Sequence, residues 1–229
     1  MIPRTLEPEV MESADEARDY DAMDHSAVND AFVADFLSAL DAFGVEAAAS
    51  DQRVMVLDTG TGTALIPIAL AQRHDSCVIT AVDLSEEMLR IARRNIEDAR
   101  LNGRIDVSIG DCKALRFADG SFDAVMSNSI IHHLPEPVGP LVEMARVVRR
   151  GGLLFLRDLL RPDSIRDVDR LVDMYAAHES AHARQLFRDS LHAALTLEEA
   201  RHALATAGLS PDMARQTSDR HWTVTGLVH

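Results

Sequence analysis

From residue 54 onward, short apolar runs alternate with segments whose apolar residues recur every three or four positions, the pattern of strands buried on both faces between amphipathic helices. The runs predict strands at 54–58, 78–82, 105–109, 123–127 and 152–157, with helices at 63–73, 86–101 and 138–149 between them. Strand and helix in alternation imply an α/β fold with a parallel sheet covered on both sides. Before the first strand, Tyr20, Met23, Val28, Phe32, Phe36, Leu37 and Leu40 recur at helical spacing, and Gly44 is a natural stop. Residues 1–51 are therefore expected to form a helical lid outside the core sheet, and 52–229 one domain. Within it, 162–194 reads as an insertion of one or two polar, histidine-bearing helices. A helix over 196–207 follows, with Thr196 as N-cap and Glu199 completing a capping box, and Gly208 ends it. Segments near 211–217 and 221–228 then form a closing hairpin.

Composition narrows the function classes. The chain has 229 residues, enough for one elaborated α/β domain, and its 23 Lys and Arg against 37 Asp and Glu leave a net charge of −14. That charge repels a polyanion over most of the surface, so no nucleic-acid partner is expected. Cys77 and Cys112 lack the spacing of a zinc or redox pair, which fits a reducing cytoplasm. No apolar run is long enough to span a membrane, and acids stand where a signal peptide carries lysine, so a soluble, cytoplasmic protein, monomer or homodimer, is expected.

The chemistry concentrates at the end of the first strand, where Val54-Met55-Val56-Leu57-Asp58 runs into Thr59-Gly60-Thr61-Gly62-Thr63-Ala64. Two glycines two apart let the backbone turn sharply at a strand end and approach a ligand closely. A dinucleotide fingerprint needs a third glycine where Leu65 stands, and an ordinary tight turn needs nothing further. Beyond the loop come Asp83 after the second apolar run, Ile-Gly-Asp111-Cys112 after the third, and Ser127-Asn128-Ser129-Ile130-Ile131-His132-His133-Leu134-Pro135 after the fourth.

In this order the motifs resemble the class I S-adenosylmethionine-dependent methyltransferases, the small-molecule branch in particular, with Ala64 in place of the last glycine of the first motif. The resemblance covers residues 50–160 well and the remainder weakly. It implies a Rossmann-like doubly wound sheet of seven strands, mostly parallel, with an antiparallel C-terminal hairpin. It also implies S-adenosylmethionine as cofactor, held by Asp58, Gly60, Thr61, Gly62, Asp83, Leu84, Asp111, Cys112 and Asn128. Asp83 is expected on the ribose hydroxyls, Asp111 and the Cys112 amide on the adenine edge, Asp58 at the amino group, and Asn128 beside the sulfonium. A turn-capping role is the alternative for Asp111.

Methyl transfer from a sulfonium is an in-line displacement that asks the protein mainly for alignment. Where the acceptor must lose a proton, His132 is the candidate base, although the His-His-Leu-Pro sequence recurs across relatives with unrelated acceptors and also fits a loop anchor. Tyr20 and His25 are candidate lid residues with a catalytic role, and Arg157 is a candidate for an acidic group on the acceptor or else an internal ion pair. The fourth-strand loop lacks the Asn/Asp-Pro-Pro-aromatic pattern of amino-methylating relatives, which leaves a small-molecule acceptor as the expectation. Two other readings stay open. One is a non-catalytic S-adenosylmethionine-fold module for a protein partner. The other is a zinc hydrolase through His178-Glu179-Ser180-Ala181-His182, which fits H-E-x-x-H; no metal ligand set is otherwise expected.

Overall fold

A computed structural model describes residues 2–7, 14, 17–18, 21, 25–45 and 53–229. The elements are α1 (Ser26–Ala42), β1 (Val54–Thr59), α2 (Leu65–Arg73), β2 (Cys77–Asp83), α3 (Glu86–Asp98), β3 (Ile105–Ile109), β4 (Phe122–Asn128), α4 (Val138–Val147), β5 (Val148–Leu159), α5 (Ile165–Tyr175), α6 (Ala181–Ala193), α7 (Leu197–Thr206), β6 (Ala214–Gln216) and β7 (His221–Leu227). The seven strands form one sheet in the order β3-β2-β1-β4-β5-β7-β6. β1 runs parallel to β2 and β4, and β2 parallel to β3, while β6 and β7 pair antiparallel as the closing hairpin. This is the α/β, Rossmann-like, mostly parallel arrangement expected from the sequence. No helix among the described residues is long and apolar enough to cross a membrane.

The chain divides into two compact units. One comprises Val10–Asn128, Gly139–Leu156 and Thr225–His229. Its core joins Phe32, Val33, Phe36 and Leu40 of α1 to Val54, Val56, Ile79, Ala81, Leu153 and Phe155. The Phe32 and Phe36 rings meet Phe155 edge-on at centroid distances of 5.2 and 5.6 Å. α1 is therefore a helix that covers the core. The expected boundary near residue 51 lies outside the described residues.

The other unit comprises Met1–Glu9, Ser129–Val138 and Arg157–Val224. Here the 162–194 segment forms two helices, α5 and α6, whose apolar faces close over Ile2 and Leu159 through Val168, Leu171, Val172, Leu191 and Ala194. α7 begins with the expected capping box: the Thr196 hydroxyl accepts from the Glu199 amide at 3.1 Å, and the Glu199 carboxylate from the Thr196 amide at 2.9 Å.

The largest boundary difference from the sequence reading lies between α4 and β5. α4 stops at Val147 and β5 starts at Val148, four residues before the expected strand. The Gly151-Gly152 pair looks like a helix stop, yet Gly152 belongs to the strand, and a Cβ on it would lie 2.6 Å from the Asp123 carbonyl oxygen.

At the opposite end of β4 from the glycine loop, the buried Asp123 carboxylate accepts from the Met55 amide at 2.8 Å and from Arg149 Nε at 2.7 Å. Removing it orphans a backbone donor and breaks a charge-assisted bond. Asp123→Ala is therefore expected to cost about 2–3 kcal/mol and to lower the melting temperature by roughly 5–10 °C. A thermal melt checks this, and a change under 2 °C contradicts it.

Candidate functional site

Parallel pairing fixes where the strand ends fall. Asp58 lies opposite Ala81 and Met126, and Asp83 opposite Ile109, so Asp58, Asp83, the residues after Ile109, and Asn128 share the carboxyl rim of one unit. In open α/β sheets ligands bind along this rim. The glycine loop is tied to the end of β2, with the Gly60 and Thr61 amides donating to the Val82 carbonyl at 2.8 and 3.0 Å. Gly60 and Gly62 stand at φ 72° and 56°, where a side chain is strained. Ala64 takes φ 64° with its methyl fully buried, so the backbone that glycine would adopt is kept at a cost of about 1 kcal/mol.

Asp83 organises this loop. Its Oδ2 accepts from the Gly62 amide at 2.8 Å and its Oδ1 from the Ser85 amide at 2.9 Å. The Ser85 hydroxyl in turn caps α3 by accepting from the Met88 amide. Burial raises the Asp83 pKa, and the amide hydrogen bonds from Ser85, Gly62 and Leu84 oppose that rise. Leu84 itself is exposed.

Asp58, Gly60, Thr61 and Asn128 line one small cavity together with Asn29, Thr63, Leu65 and Ile66. Asp58 is 3 % exposed, and burial pushes its carboxyl up to about 7, with the Thr61 hydroxyl lowering it and the Asp83 charge adding to the rise. The Thr59 and Thr63 hydroxyls are buried without a hydrogen-bond partner among the described residues. Such groups are costly unless something satisfies them, and of the two Thr63 lines the cavity, which makes it a candidate polar site. Asn29 went unnoticed in the sequence. It sits one turn before Phe32 and Val33, a polar residue on the buried stripe of α1, and that misfit was the available signal.

The Gly110 amide donates to the Asp83 carbonyl at 3.0 Å, which brings the loop after β3 against the end of β2. There Asp111 Oδ1 accepts from the Lys113 amide at 2.9 Å and pairs with Lys113 Nζ at 3.1 Å, while Cys112 is buried. Asp111 thus caps its turn through Oδ1 while standing on the same rim.

The remaining candidates lie elsewhere. Tyr20 is outside the described residues. His25 occupies the N-cap position of α1, but its side chain does not cap the helix. His132 and Arg157 belong to the other unit. Arg157 is buried, and its Nε donates to the Thr223 hydroxyl at 3.1 Å. His132 is 3 % exposed, with Nδ1 at 2.5 Å from Asp158 Oδ1 and Nε2 at 3.3 Å from Glu7 Oε1. Burial pulls the His132 pKa down, but the charge and hydrogen bond of Asp158, with Glu7, outweigh it and hold it above the ordinary histidine value.

The H-E-x-x-H pattern is not set on one helix. Ser180 is the N-cap of α6, its hydroxyl accepting from the Ala183 amide, so His178 and Glu179 precede the helix while His182 lies in its first turn. All three side chains are exposed. The two histidines do not share the helical face that a zinc hydrolase of this motif needs.

Residues 57–156 match the family model described as a methyltransferase domain. The chain is 34% identical over 110 residues to the ubiquinone/menaquinone biosynthesis C-methyltransferase UbiE of Geobacter sp. (strain M21), covering 48% of this chain and 46% of that protein. It thus spans about half the length of that relative. It is 35% identical over 192 residues to the malonyl-[acyl-carrier protein] O-methyltransferase of Geobacter sulfurreducens, covering 84% of this chain and 66% of the relative. Among solved structures, a SAM-dependent methyltransferase from Aquifex aeolicus superposes with a TM-score of 0.66 at 17% identity, over 96% of this chain and all of that one, a likeness of fold.

Proposed function

Because the chain belongs to the class I S-adenosylmethionine-dependent methyltransferases, we propose that it transfers the methyl group of S-adenosylmethionine to a small-molecule acceptor. One observation carries this reading. The buried Asp58 carboxyl, the positive-φ glycine loop and the unsatisfied Thr63 hydroxyl line one cavity at a carboxyl rim. These groups fit a ligand with a cationic amino end and close-lying polar atoms, as S-adenosylmethionine has.

In this reading Asp58 accepts from the amino group, Asp83 from the ribose hydroxyls, and Asp111 with the Cys112 amide reads the adenine edge. Gly60, Thr61 and Gly62 give close backbone approach, and Leu84 and Asn128 flank the ligand. The cofactor supplies a methyl already activated on sulfur, so the chain's part is to align the acceptor and exclude water. A base needs a lone pair facing the acceptor, whereas both His132 ring nitrogens face carboxylates within its own unit. We therefore assign His132 to holding the turn after β4 ahead of proton removal. Tyr20, His25 and Arg157 remain proposals for the acceptor side.

The test is transfer of radiolabelled methyl from S-adenosylmethionine to a panel of demethylated quinols and malonyl thioesters, the acceptor classes in the two relatives' names, together with small carboxylic acids. Labelled product above the enzyme-free control supports the proposal. Cofactor binding without transfer to any acceptor favours the non-catalytic module.

A further inference from the structure

Inside the smaller unit three side chains bring possible ligating atoms close together. Glu7 Oε1 lies 3.3 Å from His132 Nε2 and 3.3 Å from His133 Nδ1, and the three atoms fall within 4.8 Å of one another. All three residues are largely shielded, with side-chain exposures of 10 %, 3 % and 20 %. The spacing is long for a charge-assisted hydrogen bond, which closes to about 2.7–2.9 Å. The two distances from Glu7 match a tetrahedral ion instead: ligand bonds of about 2.0–2.1 Å place neighbouring donor atoms roughly 3.3–3.4 Å apart.

The surroundings hold these atoms in place. Asp158 Oδ1 takes the Nδ1 side of His132 at 2.5 Å, and its Oδ2 accepts from the Ile131 and His132 amides, which fixes the ring and directs Nε2 toward Glu7. A carboxylate behind a histidine in this way is the usual support of a metal-ligating imidazole. Ser190 donates to Glu7 Oε2 at 3.2 Å, turning the other oxygen inward, and Oε1 is buried without a hydrogen-bond partner among the described residues. The segment carrying Glu7 is itself anchored: Arg4 donates to the carbonyls of Ala193, His132 and Leu134 at 2.7, 3.1 and 2.9 Å, and the Thr5 amide to the His192 carbonyl at 3.0 Å.

We propose that Glu7, His132 and His133 bind one divalent transition-metal ion of the zinc class, with Asp158 as the orienting carboxylate. A single metal ion takes both imidazole nitrogens and the carboxylate oxygen as ligands at once. Two imidazoles and a carboxylate suit a borderline ion and leave a fourth position for water or an acceptor atom. The ion staples the N-terminal segment to the turn after β4, a link among residues far apart in sequence.

The test uses the full chain, purified without a histidine tag, stripped with a chelator and titrated with zinc sulfate against a chromophoric competitor. One equivalent binds with submicromolar affinity, and Glu7→Gln and His133→Ala each weaken it by about 10–100-fold, while the double variant His178→Ala/His182→Ala binds as wild type. Zinc-edge X-ray absorption of the loaded wild type reports two imidazole ligands independently of any variant. Absence of stoichiometric binding overturns the proposal, as does binding that survives Glu7→Gln and His133→Ala but is lost in the His178/His182 variant.

Discussion

Asp83→Ala is expected to weaken S-adenosylhomocysteine binding by at least about 100-fold. The carboxylate receives the Gly62 and Ser85 amides, so its loss unfastens the glycine loop and the start of α3 together. In the proposed complex it also loses the ribose hydroxyls. Hydrogen bonds to a charged group contribute about 1.5–3 kcal/mol each, and 1.4 kcal/mol is tenfold in affinity, so two lost bonds suffice for this drop. Calorimetric titration of wild type and variant, with circular dichroism to verify folding, reads the effect. A loss below fivefold in a folded variant contradicts the ribose assignment.

Asp58→Asn is expected to act in two opposite directions. The native carboxyl titrates at about 7 against an ordinary 3.8, so between these values the folded state binds more protons than the unfolded state. Stability therefore falls as pH rises from 3.8 to about 7, and above that Asp58 costs on the order of 4 kcal/mol. Asparagine removes the buried charge. Without ligand, the variant should melt roughly 5–15 °C above wild type at pH 8 and close to it at pH 4. Its affinity for S-adenosylmethionine should nonetheless fall, because the partner of the amino group has lost its charge. Thermal melts at the two pH values check the first half, and a variant less stable than wild type at pH 8 contradicts it.

The parts of the site that were legible in the sequence are those built from neighbours in the chain. An apolar run ending in Asp58 and two glycines specifies a strand end and a turn, and parallel pairing then carries Asp83, Asp111 and Asn128 to the same rim. The Thr196–Glu199 capping box was legible for the same reason, since its bonds span three residues. What was hidden depends on distant partners. Nothing in the local sequence sets Glu7 beside His132 and His133, more than a hundred residues away. The spacing of α1 gave a helix, but its packing against Phe155 joins residues far apart in the chain and had no local signal. H-E-x-x-H had the right spacing, and Ser180 as N-cap broke its geometry.

The cofactor-rim account meets its most direct test in a crystal structure of the protein with S-adenosylhomocysteine. The account predicts the ribose on Asp83, the adenine beside Asp111 and Cys112, and the amino group at Asp58. Adenosine bound away from the ends of β1, β2 and β4, or a rim closed by its own side chains, would contradict it.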